Sequence, residues 1–298
     1  MNARTAPIDP TATVHPTAQI DPSARIHADA VIEADAFVGP NCTVGRGTRL
    51  RARAMLIEHV TLGERNDVHP YAVLGGDPQD KSFDETKRGE VIIGDRNIIR
   101  EHVTINRSNW NGGPTRVGSG CYLMCSTHLA HNAQIGDNVI MANGACLAGH
   151  ARVGHGVVMS AFTMVHQFVI VGDGVMFRGG SGVGMHVPPF VVVAGENFIA
   201  GLNKVGLARN PAINRQDRDE VKRVYRALFR EREATPIQDV IAQLRDETWG
   251  AAATKFIDFC ADAIAKEPPH RRGLVGGRRM RVRTQSALMP ALADTATG

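Results

Sequence analysis

The stretch VGSGCYLMCSTHLAHNAQIGDNVIMANGACLAGHARVGHGVVMSAFTMVHQFVIVGDGVMFRGGSGV, residues 117–183, decides the fold. Read in sixes, it places an apolar residue at Val117, Leu123, Leu129, Ile135, Met141, Leu147, Val153, Met159, Val165, Val171, Phe177 and Val183. A small residue often follows directly, as at Gly118, Ala130, Gly136, Ala142, Ala148, Gly154, Gly172 and Gly184. A period of six is neither that of a helix nor that of a simple strand. It marks a hexapeptide β-helix, in which one repeat makes one flat face and three repeats close a turn. The recurring aliphatic residue fills the coil, and the small residue after it is expected to fit the tight corner.

The period runs outward from this core. Toward the N-terminus it holds from Ile8 through Val14, Ile20, Ile26, Ile32, Val38, Val44, Leu50, Leu56, Leu62, Val68 and Leu74. The pairs Asp9-Pro10, His15-Pro16, Asp21-Pro22 and His69-Pro70 suit corners, where a fixed φ helps the bend. The pattern breaks over 75–92, beginning with GGDPQDKSFDETKRGE at 75–90, and breaks again over 106–116 with NRSNWNGGPTR. Both read as loops extruded from the coil, placed to wrap a cleft or clasp a neighbour.

Toward the C-terminus the period changes to 3.6 after Pro211. Ile213, Val221, Val224, Tyr225, Leu228 and Phe229 form one stripe; Ile237, Val240, Ile241 and Leu244 a second; Phe256, Ile257, Phe259, Cys260 and Ile264 a third. The expected organisation is a left-handed parallel β-helix over 8–195, an α-helical domain over 196–270, and a disordered basic tail over 271–298 carrying Arg271, Arg272, Arg278, Arg279, Arg281 and Arg283.

Composition narrows the function. Aromatic residues are 5% of the chain, as a thin solenoid of Val, Ile and Leu requires, and the net charge of +4 gives no case for nucleic acid. The five cysteines form no CxxC pattern, so neither a disulfide framework nor a zinc finger is indicated. The start, MNARTAPIDPTATVHP, has no apolar secretion core, and no apolar run approaches a membrane span. A cytoplasmic protein with at most peripheral membrane contact is expected.

The repeat gives the histidines meaning. A turn takes about eighteen residues, and rungs lie about 4.8 Å apart. His131, His150 and His166 are nineteen and sixteen residues apart, which stacks them along one edge; His128 joins the turn of His131. Each alone reads as a surface histidine on a polar corner. Four of the twelve histidines on one edge read as a site.

PQD (78–80), IGDRNIIREHVTINR (93–107), THLAHN (127–132), LAGH (147–150), VHQF (165–168), SGVGMHVPPFVV (181–192) and GLNKVGLAR (201–209) resemble the UDP-N-acetylglucosamine O-acyltransferases of lipid A biosynthesis. The resemblance implies a homotrimer with active sites between neighbours. It also implies transfer of an (R)-3-hydroxyacyl group from acyl carrier protein to the 3-hydroxyl of UDP-GlcNAc, with no cofactor and no metal. On that resemblance His131 is the general base and Gly149 the oxyanion donor. His128, His150, His166, Gln167, Asp80, Lys81 and Asn203 belong to substrate binding, Arg209 to the nucleotide side and Gly180 to an acyl-chain ruler. The residue types suit the chemistry. An imidazole, with an ordinary pKa of about 6.5, takes a proton from a sugar hydroxyl, and a backbone N–H at a glycine faces the developing oxyanion.

Some positions depart from the family. Asn132 stands where Asp is usual, so a slower base or a substitute carboxylate is expected. Asn106 stands where a sugar-site His is common, the loop after Gln79-Asp80 displaces the usual lysine, and Val205 and Asn210 differ on the nucleotide side. Other readings therefore stay open: a paralogue acylating a different UDP-sugar, a catalytically weakened trimeric scaffold, the N-acyltransferase of the same pathway, and a carbonic anhydrase holding zinc on His131, His150 and His166.

Overall fold

The computed structural model describes residues 7–109 and 113–276. Strands of two to four residues stack into three flat faces of eleven, nine and eight strands. Neighbours in each face are parallel except the last pair, Val191–Val193 against Ile199–Leu202. Register follows the eighteen-residue turn: Thr104, His128, Cys146, Met164 and Gly182 line up on the nine-stranded face. These residues point outward. Ile105, Leu129, Leu147, Val165 and Val183, each one position later, fill the interior at 4% exposure or less. Burial of each contributes about 1.5–3 kcal/mol, and the column they form is continuous with the rest of the core.

The corners differ from the sequence expectation in one respect. The left-handed backbone conformation falls three residues after the inward residue, not directly after it. Asn132, His150 and Phe168 have φ of 59°, 60° and 64° at equivalent corners. The small residue directly after the inward one answers a different need. A Cβ on Gly136 would lie 3.0 Å from the Gly154 carbonyl carbon on the next rung. Rung-to-rung contact, not φ, keeps that position small.

Both excursions are slightly shorter than the sequence suggests, because the strands Val73–Gly76, Val91–Ile93, Thr104–Asn106 and Thr115–Val117 run into their ends. Each leaves the nine-stranded face and returns on the eight-stranded face. They therefore replace two successive corners on one edge, immediately before the corner of His131. Buried Arg107 stitches them together. Its guanidinium meets Asp77 at 2.9 Å and Glu58 at 3.5 Å and lies over the Phe83 ring.

Four α-helices follow, α1 Lys204–Arg209, α2 Arg215–Arg226, α3 Ile237–Arg245 and α4 Ala251–Ala265, with a π-helical turn Ala227–Glu231 continuing α2. α2 begins at an Asn214–Asp217 capping box rather than at Pro211. No helix among the described residues is long and apolar enough to cross a membrane. The chain then returns to the solenoid. Leu274 bridges to His186 and Gly276 to Phe198, and Val275 is fully buried. Residues 271–276 thus belong to the fold rather than to a tail; Arg278, Arg279, Arg281 and Arg283 lie outside the described residues.

His186 fastens this return. It is fully buried, its Nδ1 accepts from the Ile170 N–H at 3.0 Å, and its Nε2 donates to the His270 carbonyl at 2.8 Å. Only the neutral ring satisfies both bonds. Burial, more than nearby cations, lowers its pKa from the ordinary 6.5. Because the folded-state value lies below the unfolded one, the stabilisation is complete above about pH 6.5 and is lost as pH falls. The melting temperature of the wild type is expected to drop from pH 7.5 to pH 5.5 by more than that of His186→Gln. Equal drops in the two proteins would refute the assignment.

Candidate active site

His131 sits on the edge between the nine- and eight-stranded faces, in the corner after the strand His128–Leu129. Its side chain is 13% exposed. Nδ1 lies 2.9 Å from Oδ1 of Asn132. That oxygen also accepts the Asn109 backbone N–H at 3.0 Å, while Asn132 Nδ2 donates to the Gly113 carbonyl at 2.7 Å and to the Asn109 carbonyl at 3.3 Å. The amide can therefore face only one way. Its oxygen meets Nδ1, so Nδ1 carries the ring proton and Nε2 presents a lone pair. Asn132 thereby performs the orienting half of a carboxylate's task without its charge.

The charge comes from elsewhere. Asp80 Oδ2 lies 3.9 Å from His131 Nε2, on the opposite side of the ring from Asn132. Hydrogen bonds from the Ser82 backbone N–H and hydroxyl, then from Asn109, hold the Asp80 carboxyl below the usual carboxylate range, so it is ionised at neutral pH. Asn109 Nδ2 donates to Asp80 Oδ2 at 3.2 Å. One buried residue of the second excursion thus bridges both partners of His131. Nothing in the sequence singled out Asn109, because its role depends on two loops meeting.

Gly149 is one turn along from His131. A Cβ there would lie 2.6 Å from His131 Nε2, while its φ is not in the left-handed region. Space alone demands glycine. Its N–H has no acceptor among the described residues, so a donor stands free beside the lone pair on His131 Nε2.

Next on the edge come ring-on-ring contacts. His131 meets His150 edge-on at 5.2 Å, His150 stacks on Phe168 at 4.8 Å, and Phe168 meets His270 edge-on at 5.1 Å. His150 and Phe168 are eighteen residues apart and share a rung position; Gln167 shares that of His131 and Gly149. His166 therefore falls out of the stack. It is exposed, with Nδ1 3.3 Å from the Gln167 carbonyl. Among the described residues no three His, Cys, Asp or Glu side chains converge as metal ligands.

Burial, assisted by the charges of His131, His270 and Arg152, lowers the pKa of His150, and burial lowers that of His128. Both are neutral at neutral pH. His128 points outward from the nine-stranded face, its Nδ1 2.8 Å from the Thr104 hydroxyl.

Other expected site residues stand elsewhere on the single chain. Asn203 caps α1, accepting from the Gly206 N–H and donating to the Gly174 carbonyl. That puts Asn203 at the edge between the eight- and eleven-stranded faces, while Arg209 is exposed in the last turn of α1. Gly180 lies on the third edge, with φ of 66° and open space beyond its Cα. Lys81 is exposed, with no ion pair among the described residues. Asn106 is 8% exposed; its Nδ2 donates to the Asp77 carbonyl at 2.6 Å, and its Oδ1 is buried without a partner among the described residues.

Comparison with known proteins agrees with this geometry. A family model described as UDP N-acetylglucosamine O-acyltransferase, domain 2, matches residues 186–275, and one for bacterial transferase hexapeptide repeats matches 114–149. An acyl-(acyl-carrier-protein)–UDP-N-acetylglucosamine O-acyltransferase of Syntrophobacter fumaroxidans is 41% identical over 222 residues, 73% of this chain and 84% of the relative. The crystal structure of the UDP-N-acetylglucosamine O-acyltransferase of Moraxella catarrhalis superposes with a TM-score of 0.80 at 32% identity, over 88% of this chain and 99% of that one. The Arabidopsis UDP-N-acetylglucosamine acyltransferase gives 0.82 at 28% identity, over 90% and 99%. At 41% identity over 73% of this chain and 84% of the Syntrophobacter relative, with the same fold in the Moraxella enzyme, this chain belongs to the UDP-N-acetylglucosamine O-acyltransferase family.

Proposed function

We propose that the protein transfers an (R)-3-hydroxyacyl group from acyl carrier protein to the 3-hydroxyl of UDP-GlcNAc, in the cytoplasm, as a homotrimer. The observation that carries the chemistry is the juxtaposition of a lone pair on His131 Nε2 with the unpartnered Gly149 N–H. A hydroxyl oxygen fits within hydrogen-bond reach of both Nε2 and Asp80 Oδ2, which are 3.9 Å apart. Nε2 takes the hydroxyl proton as the oxygen attacks the thioester carbon. The oxyanion accepts the Gly149 N–H. Collapse breaks the carbon–sulfur bond; the leaving thiolate takes the proton from the imidazolium, giving ester and free carrier thiol.

The separation of the edges supports the trimer: Asn203 stands one full face away from His131, so on this reading it serves a site shared with a neighbouring subunit. The acyl chain lies on the nine-stranded face, which joins the His131 edge to the Gly180 edge. Met164, 57% exposed on that face, and Phe162, 69% exposed at its border, give the chain an apolar bed. Gly180→Met is expected to move the preferred donor to a shorter chain, read as product mass from a mixed panel of donors. An unchanged distribution would remove Gly180 from the ruler.

Incubation of the purified protein with UDP-GlcNAc and 3-hydroxyacyl carrier proteins, followed by mass spectrometry, tests the reaction itself. Acylated UDP-GlcNAc supports it; no product from folded protein with any donor refutes it. The unpartnered Asn106 Oδ1 favours one second reading, acylation of a different UDP-sugar. Turnover of another UDP-sugar ahead of UDP-GlcNAc in the same assay would establish it.

A further inference from the structure

Where the chain returns to the solenoid, a cavity of about 350 Å³ opens between the helices and that return. Leu228 and Val275, both fully buried, stand at its base. Phe229, Ile237, Ile264 and Leu274 also line it, each half-buried. Apolar surface from the end of α2, the start of α3, the end of α4 and the return thus converges on one space. The π-helical turn Ala227–Glu231 gives the cavity Leu228, Phe229 and Arg230. Turns of this kind occur mostly where a helix serves a site.

The mouth of the cavity is charged and incompletely paired. Arg230 donates to the Ala200 carbonyl at 3.3 Å and Arg232 to the Thr235 carbonyl at 2.9 Å. Neither has a carboxylate partner among the described residues, and Glu233 has no cation partner among them.

Gly276 itself lines the cavity, so the chain continues from its rim into residues 277–298. These lie beyond the match to the family model, which ends at residue 275. Their sequence changes character along its length. Arg278, Arg279, Arg281 and Arg283 come first. An uncharged, apolar run follows, Ala287-Leu288-Met289-Pro290-Ala291-Leu292, and Asp294 stands just after it.

We propose that this run, residues 287–292 of the same chain, occupies the cavity and pins the helices to the solenoid. Ten residues, 277–286, separate it from Gly276. Extended, they span up to about 35 Å, and the cavity starts at Gly276, so reach is not limiting. A tether this short holds the run at an effective concentration on the order of millimolar, which suits a cavity too small to hold a free peptide tightly. Leu288, Met289 and Leu292 fill the apolar walls. The charges match in order: Arg283 before the run meets Glu233, and Asp294 after it meets Arg230 and Arg232.

The test places the photoreactive residue benzoylphenylalanine at position 288, and separately at 292, in the full-length protein. Irradiation is expected to crosslink within one chain, which keeps the monomer mass on a denaturing gel. Mass spectrometry is expected to map the crosslink to 228–237, 264 or 274–276. A crosslinked dimer gives the cavity to a neighbouring copy and overturns the proposal, as do crosslinks elsewhere or none at either position. The double variant Leu288→Ser, Leu292→Ser supplies a second readout and leaves the described core untouched. Amide hydrogen exchange over 237–244 and 274–276 is expected to quicken on the order of tenfold, while the middle of the solenoid exchanges as in the wild type. Unchanged exchange at both segments overturns the proposal. Neither readout depends on acyl transfer.

Discussion

His131→Ala lowers kcat/KM by about 10²–10⁴-fold, or about 3–5 kcal/mol of transition-state stabilisation. The expectation comes from the ring's surroundings. Three backbone groups fix the Asn132 amide, the amide fixes the proton on Nδ1, and Nε2 is left as the basic atom. The residual rate is what the Gly149 donor and substrate positioning supply by themselves. His131 is partly exposed and outside the core column, so the variant is expected to fold. Steady-state kinetics with acyl carrier donor and UDP-GlcNAc, beside melting curves, checks both statements. A folded variant within tenfold of the wild type would show that another group takes the proton.

Gly149→Ala loses about 10²–10³-fold in kcat through a different cause. Its φ is acceptable for alanine, so the backbone is not strained. The added methyl would stand 2.6 Å from His131 Nε2 and 2.8 Å from Cε1. The imidazole must turn away, which breaks its 2.9 Å bond to Asn132 and displaces the lone pair from the hydroxyl. Overpacking of this kind costs about 1–3 kcal/mol of stability, small enough for a folded enzyme with a damaged site. Wild-type kcat in Gly149→Ala would mean that the free N–H and the base do not act on the same substrate atom.

These two residues mark what a linear reading reaches. The period of six placed the large apolar residue that each repeat from Ile26 to Val183 buries, while Ile8 at the open end stays 42% exposed; a second buried position two residues earlier, as at Ala24, Ala36, Val139, Val157 and Val169, emerged only in the structure. The period also located the histidine edge, since a turn of about eighteen residues converts spacing into proximity. It misplaced His166 for the same reason. Sixteen residues is two short of a turn, and Phe168 takes the rung above His150. The helices after Pro211 were legible as apolar stripes. The return of Leu274 and Val275 to the solenoid was not, because it depends on His186, eighty-four residues upstream of His270, offering a buried partner.

By itself the sequence determined the coil, the large apolar residues of its core, the positions of both excursions and the edge on which His131 stands. Those are properties of periodic burial, which one chain direction suffices to specify. Only the tertiary structure decided which groups surround His131. Asp80 reaches His131 from one loop and Asn109 from another, and neither loop has a period. Their meeting is set by Arg107 and by corners stacked on one edge, where contacts join residues twenty to thirty apart. The missing carboxylate at position 132 was plain in the sequence. That a carboxylate would appear on the other face of the ring was a matter of which loops touch.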